Sequence, residues 1–499
     1  MTNGLLSLPK FDCSLAMQKT KLISVMRTFS EKEMNLFVKW MSSPFFNTNK
    51  NLSSLCDYLA EAYPNFSDEK IEKTIVSAHV FPNEDFNDNR LRNLISDLQE
   101  QVELFLSWTN LSSKRSTQKQ LLLEELNKRN LHALFESRLK ESRKELDDSG
   151  LIMTEHTLNN FLIDQEEYNF HHTVNFGHVY KVFKFYDHEK IIRSATDLYL
   201  SHFLYYYHVQ LDHETIYGKK DLRWIKLEKL ADELYVETGQ TNILTSAYLK
   251  TIKLLRTRNS KYYFQIKKDL EKKQFDALVD YDKQSVITVL TNFAFREYLN
   301  GKEGFMKEIL ELSELALNKR VCFRNEFISH IFFFNYVSYN ITVGKIEAAN
   351  RFIKKYSEFL QPHLKESTLN YSAACVLLAE KKYSEALLAL SKATYDTPQR
   401  FIGIKNILLK IYFEKNDLEP ISFVVDSIRH KMISETFYSD YYVEAEKNFL
   451  HHLNALLNAK NNNTPANQKK LNNTLQVLKR PGFVFHREWL ITRAKELKK

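Results

Sequence analysis

Eight histidines fall between positions 156 and 213: His156, His171, His172, His178, His188, His202, His208 and His213. Imidazole nitrogens ligate zinc and iron, and a carboxylate one helical turn away can join them. Glu167 and His171 have that i,i+4 spacing. A helical metal site also needs a repeated Glu-x-x-His, or a His-Glu-x-x-His, to turn several ligands to one point. Neither pattern occurs, and Tyr and Phe are interleaved with the histidines ("YKVFKFYDHEK", "LYYYH"). Rings of this kind pack between helices. The stretch therefore reads as core and surface, with no metal, and the pair His451–His452 as a solvated helix face.

Other chemistry is equally sparse. The chain has no Gly-x-Ser-x-Gly, no phosphate-binding loop and no Gly-x-Gly-x-x-Gly. Its carboxylates sit among lysines at i,i+3 and i,i+4, the spacing of surface pairs on helices. No catalytic residue and no cofactor are expected. Cys13, Cys56, Cys322 and Cys375 include no C-x-x-C pair. That argues against a thiolate zinc site or a disulfide framework and fits a reducing cytoplasm.

The elements that would position any site are helices. Only 10 Gly and 9 Pro occur in 499 residues. Hairpins, barrels and nucleotide-binding folds use glycine freely, so this scarcity points to an all-α fold with short polar turns. The 70 basic and 62 acidic residues are interspersed, and the net charge of +8 permits anionic partners without demanding them. The N-terminal stretch lacks the pattern of a signal peptide. The most apolar runs, "SHFLYYYHVQ" and "HIFFFNYVSYN", are too short to span a bilayer, so a cytoplasmic protein without membrane insertion is expected.

After an extension over 1–17, residues 18–110 read as a helical N-terminal domain. Ser30 and Glu33 form a capping box ahead of Met34, Phe37, Val38 and Met41. Leu52, Leu55 and Leu59 mark a second helix, "FSDEKIEKTIVSAHVFP" a third, and Leu91, Leu94, Ile95, Leu98, Val102, Phe105 and Leu106 a fourth. The order of these helices resembles a winged helix-turn-helix. That resemblance implies a DNA-binding regulator, with Asn89, Arg90, Arg92 and Asn93 facing bases and phosphates. Asp88, Asp97 and Glu100 on the same helix would repel phosphate, and little strand follows to make a wing.

Polar residues 109–120 read as a linker, 121–300 as long helices, 301–457 as repeats and 471–499 as a helical cap. Within the repeats, "NYSAACVLLAEKKYSEALLALSKATYDTP" (370–398) resembles a tetratricopeptide repeat, a helix–turn–helix unit of 34 residues. The matching positions are Ala374, Tyr383, Ala386, Ala393 and Pro398. Neighbouring units align Ile346 and Leu418 with Tyr383, at spacings of 37 and 35 residues, and "FAFREYLNGKEGFMKEILELSELALNKR" aligns as a fourth. The downstream unit has Ile421 where a small residue is usual.

The resemblance implies a superhelix whose concave face, lined by first helices, binds a protein or peptide as a non-catalytic scaffold. Its concave-facing candidates are Tyr371, Cys375, Leu378, Asn406 and Lys410. They lack a paired Lys/Arg clamp, so a peptide's terminal carboxylate is not the expected ligand. The alternative is the DNA-binding regulator, with the repeat array as its sensor.

Overall fold

A computed structural model describes residues 17–148, 154–218, 223–237, 243–395, 397–434 and 438–498. Their regular structure is helical apart from one two-stranded ribbon, β1 (Phe323–Arg324) with β2 (Phe327–Ile328). Two compact units divide between Ser142 and Arg143.

In the first unit, α1 (Lys21–Met26), α2 (Glu31–Ser42), α3 (Lys50–Ala62), α4 (Lys73–Val80) and α5 (Asp88–Ser113) enclose one core. The capping box forms: the Ser30 hydroxyl accepts the Glu33 N–H at 3.2 Å, and the Ser30 N–H donates to the Glu33 carboxylate at 2.7 Å. Met34, Phe37 and Met41 then bury, together with Leu52, Leu55 and Leu59 from α3 and Leu91 and Leu98 from α5. The third helix begins later than its Ser67–Asp68 signal. Residues 67–71 instead turn back on the Ser67 carbonyl, and the Tyr58 hydroxyl holds the Lys70 carbonyl at 2.8 Å.

The polar stretch 109–120 is helical rather than a linker. It completes α5 and opens α6 (Arg115–Lys128), which α7 (His132–Asp148) follows. Thr109, Ser112 and Ser113 donate their hydroxyls to the carbonyls of Phe105, Thr109 and Asn110. Back-bonding of this kind lets hydroxyl-rich sequence remain helical.

The second unit runs through α8 (Thr154–Val174), α9 (Val179–Phe185), α10 (His188–Tyr217), α11 (Ile225–Glu237), α12 (Ile243–Thr257), α13 (Ser260–Leu270), α14 (Lys273–Asp276), α15 (Asp280–Leu299) and α16 (Phe305–Asn318). Beyond the ribbon come α17 (His330–Thr342), α18 (Ile346–Tyr356), α19 (Pro362–Ala379), α20 (Tyr383–Ser391), α21 (Pro398–Lys415), α22 (Glu419–Ser434), α23 (Asp440–Asn461), α24 (Pro465–Leu478) and α25 (Arg487–Leu497). Helices α17 and α18, α19 and α20, and α21 and α22 pack as successive hairpins, with α17 also against α19 and α19 against α21.

The hairpin turns share one geometry. Gly344, Lys381 and Asn416 each take a left-handed φ, of 78°, 63° and 60°. The amides of Gly344, Lys381 and Asn416 bond three residues back, to Ile341, Leu378 and Phe413; the next amides bond five back, to Asn340, Leu377 and Tyr412. This is the Schellman closure of a helix C-terminus. Those residues are 37 and 35 apart, the same interval as the aligned positions 346, 383 and 418. Gly301 closes α15 in the same way, with its amide on Tyr298 and that of Lys302 on Glu297.

Ala374, Ala386 and Ala349 are fully buried, as close helix approach requires, and Ile421 is buried at the corresponding place in the third hairpin. Pro398 does not end α20, which stops at Ser391. It is the first residue of α21, behind a Thr397 hydroxyl that accepts the Arg400 N–H at 3.2 Å. Proline's fixed φ and missing N–H suit that position.

Candidate binding cavity

Helices α15, α17, α19, α21 and α23 each turn side chains toward one cavity of about 330 Å³, and residues of 485–493 complete its wall. All five residues singled out from the repeats line it: Tyr371, Cys375 and Leu378 from α19, Asn406 and Lys410 from α21. Sequence spacing placed each set on one helix; the hairpin packing brings the two sets together.

The wall is aromatic with a few polar groups, the usual makeup of a ligand pocket. Tyr298, Tyr339, Tyr371, Tyr442 and Trp489 contribute rings. The Tyr298 hydroxyl donates to Glu488 at 2.7 Å, and the Trp489 indole N–H donates to Glu414 at 2.8 Å. Arg493 pairs with the same Glu414 at 2.7 Å. Gly403 also lines the cavity, and a β-carbon there would stand 3.3 Å from the Tyr371 hydroxyl.

Burial sets the ionisation of the wall. It pushes the Cys375 thiol up to about 11, so the sulfur stays protonated beside the Ser338 hydroxyl, 3.9 Å away. Burial drives His486 well below the usual imidazole range, and the Lys410 charge adds to that. Lys410 is itself lowered by desolvation. Asn406, 2% exposed, donates its amide to Glu446 at 2.8 Å, and burial raises that carboxyl to about 8. Glu446 is thus a neutral acid at pH 7.

His486, Trp489 and Arg493 were not legible as part of a site. Trp489 meets Glu414 across 75 residues of sequence. The short amphipathic run "REWLITR" signals only a helix.

The histidine-rich stretch is put to other uses. Glu167, considered as a metal ligand, pairs with Arg143 and with Lys190, the latter at 2.6 Å. The rings of His171, His172 and His188 pack with Tyr168 and Tyr186. His208 is fully buried against Tyr248, with Nε2 at 2.6 Å from the Ser285 hydroxyl, and burial lowers it to about 4. Among the described residues no group of three His, Cys, Asp or Glu side chains is arranged to hold a metal. The pair His451–His452 is only half solvated. His452 is buried and lowered to about 4, because α23 turns it inward with Phe449 and Leu453.

Asn89, Arg90, Arg92 and Asn93 are exposed at the start of α5. Arg90 pairs with Glu84 and lies 4.0 Å over the Phe81 ring; Arg92 pairs with Asp88 at 2.6 Å. Both guanidinium groups are therefore engaged within the chain, and no strand occurs among the described residues of the first unit. Among the described residues, no helix is long and apolar enough to cross a membrane. Comparison with family models, with curated proteins and with solved structures finds no match.

Proposed function

We propose that the protein is a non-catalytic binding scaffold of the tetratricopeptide-like class, which takes a segment of a partner protein into the cavity of its second unit. The observation that carries this reading is the shared lining: the first helices of successive hairpins, α17, α19 and α21, face one space. The repeated left-handed closures at 344, 381 and 416 support a common hairpin plan. Tyrosine, tryptophan and amide groups on pre-formed helices suit recognition of an apolar segment at low ordering cost to the receptor. The protonated Cys375 and the ion-paired Glu414 offer no activated nucleophile.

Selection of peptides from a random library on the full chain tests the reading. Selected peptides are expected to lose at least tenfold in affinity on Leu378→Trp, which narrows the cavity. They should bind unchanged to Leu104→Trp, a substitution at an exposed residue of the first unit. Equal binding to both variants, or no selection at all, would sink the proposal.

A further inference from the structure

On a helix surface a lysine can pair with a carboxylate one turn away. Lys410 has Glu414 at that spacing and does not receive it. The Glu414 carboxylate is instead held by the Trp489 indole at 2.8 Å and by Arg493 at 2.7 Å. Arg493 divides itself between Glu414 and Glu496. Glu414 and Arg493 thus compensate one another, and the remaining cations of the cavity wall are Lys410 and, at the exposed turn, Lys381. Among the described residues the Lys410 ammonium makes no hydrogen bond and no ion pair; its Nζ lies 5.8 Å from the centroid of the Trp489 ring. No other anion of the described lining compensates it, because Glu414 is its one acidic residue and the Cys375 thiol stays protonated.

The Lys410 side chain is half-buried, so water meets its ammonium only through the cavity, and an anionic occupant that displaces this water supplies the counter-charge. We propose that the cavity binds a single carboxylate carried on an aromatic or aliphatic body, with Lys410 as its counter-ion. The body lies against Tyr298, Tyr339, Tyr371 and Trp489, and about 330 Å³ accommodates a group of the size of one aromatic amino acid. Asn406, one turn before Lys410, has a buried amide oxygen with no partner of its own; as an acceptor it suits an N–H or O–H of the occupant and not the carboxylate. Lysine acts here as a point charge, so the recognition is electrostatic rather than a two-pronged fit.

The occupant's source, though not its charge, rests on the partner-protein reading above, and calorimetric titration of the full chain separates the two. The free probes are 3-phenylpropionate and its neutral amide; the peptide probes are acetyl-Phe-Glu-Phe-amide and its Gln counterpart. The carboxylate is expected to bind at least tenfold more tightly than the amide. Lys410→Met should abolish that preference and Lys410→Arg keep it, with circular dichroism showing each variant folded. A preference for the Glu peptide that is lost in Lys410→Met supports both the carboxylate site and a protein source. Preference for the free acid with neither peptide bound supports the carboxylate site and overturns the partner-protein reading. The carboxylate site itself is overturned if acid and amide bind within twofold of each other, if neither binds, or if Lys410→Met retains the preference. Tight, equal binding of both peptides would then leave the partner-protein reading standing alone.

Discussion

In the core of the first unit, the rings of Phe29, Phe37 and Phe105 meet at centroid separations of 5.3–6.0 Å, and neighbouring polar groups are matched. The Trp40 indole donates to Gln101 at 3.2 Å and the Tyr63 hydroxyl to the Phe29 carbonyl at 2.7 Å. The cavity of the second unit has as many aromatic rings, yet they line a space, and polar atoms beside them lack partners: the Asn406 amide oxygen and one oxygen of Glu446. Packing and polar matching serve stability in the first case. In the second, both are relaxed, as sites for a ligand commonly are.

The contrast can be broken most forcefully at Phe37. Phe37→Ala leaves a void beside the Phe29 and Phe105 rings and is expected to cost about 3–5 kcal/mol in urea unfolding of the first unit. A loss below about 1 kcal/mol would mean that this core is no tighter than the cavity wall. The next effect belongs to Glu446. Its folded value is raised from 4.5 to about 8, so the folded state holds a proton that the unfolded state releases. Stability is full below about 4.5 and falls as pH rises through 8. His208 and His452, lowered to about 4, act in the opposite sense and only below about 6.5. Asp197 and Asp212, raised to about 6, finish titrating in the same range. Between about pH 7 and 8 Glu446 therefore contributes a falling slope of up to about 1.4 kcal/mol per pH unit. Glu446→Gln should flatten the stability profile there; a profile unchanged by the substitution would show the carboxyl to be ionised in the fold.

Smaller effects sharpen the comparison at helix ends. Ser30→Ala removes the capping box and is expected to cost about 1 kcal/mol in the first unit's urea midpoint. Lys381→Gly should instead raise stability by about 0.5–1 kcal/mol. A lysine at φ 63° carries a left-handed penalty that glycine avoids. Thermal unfolding of the full chain would show whether that turn is strained or has been relaxed by its neighbours.

The helices were legible because their signals are local. Ser30–Glu33, the leucines of α3 and α5, and the alanines at 374 and 386 each act within a turn or two of their own position. Where a signal had a second local solution, the sequence misled: hydroxyls at 109–113 back-bond and stay helical, and Pro398 opens a helix instead of closing one. Half of the cavity wall was visible, because Tyr371, Cys375 and Leu378 share one helical face, as do Asn406 and Lys410. The other half was not. Only tertiary packing brings Trp489 and Arg493 to Glu414 and so leaves Lys410 without its usual partner.

The seam between α15 and residues 482–487 sets a schedule for assembly. The carbonyls of Leu299 and Asn300, at the end of α15, accept the amides of Val484 and Gly482 at 3.0 Å each. The Arg487 guanidinium reaches the Leu299 carbonyl as well and also caps Leu478 and Arg480. At a synthesis rate of about 5–20 residues per second, the 188 residues separating Leu299 from Arg487 take about 10–40 s to appear. Throughout that interval the Leu299 and Asn300 carbonyls lack the amides that hold them in the fold, and the cavity lacks the wall that 485–493 provides. A nascent chain arrested before residue 482 should therefore be cut by protease around 299–304, and a chain carried past 490 should be protected there.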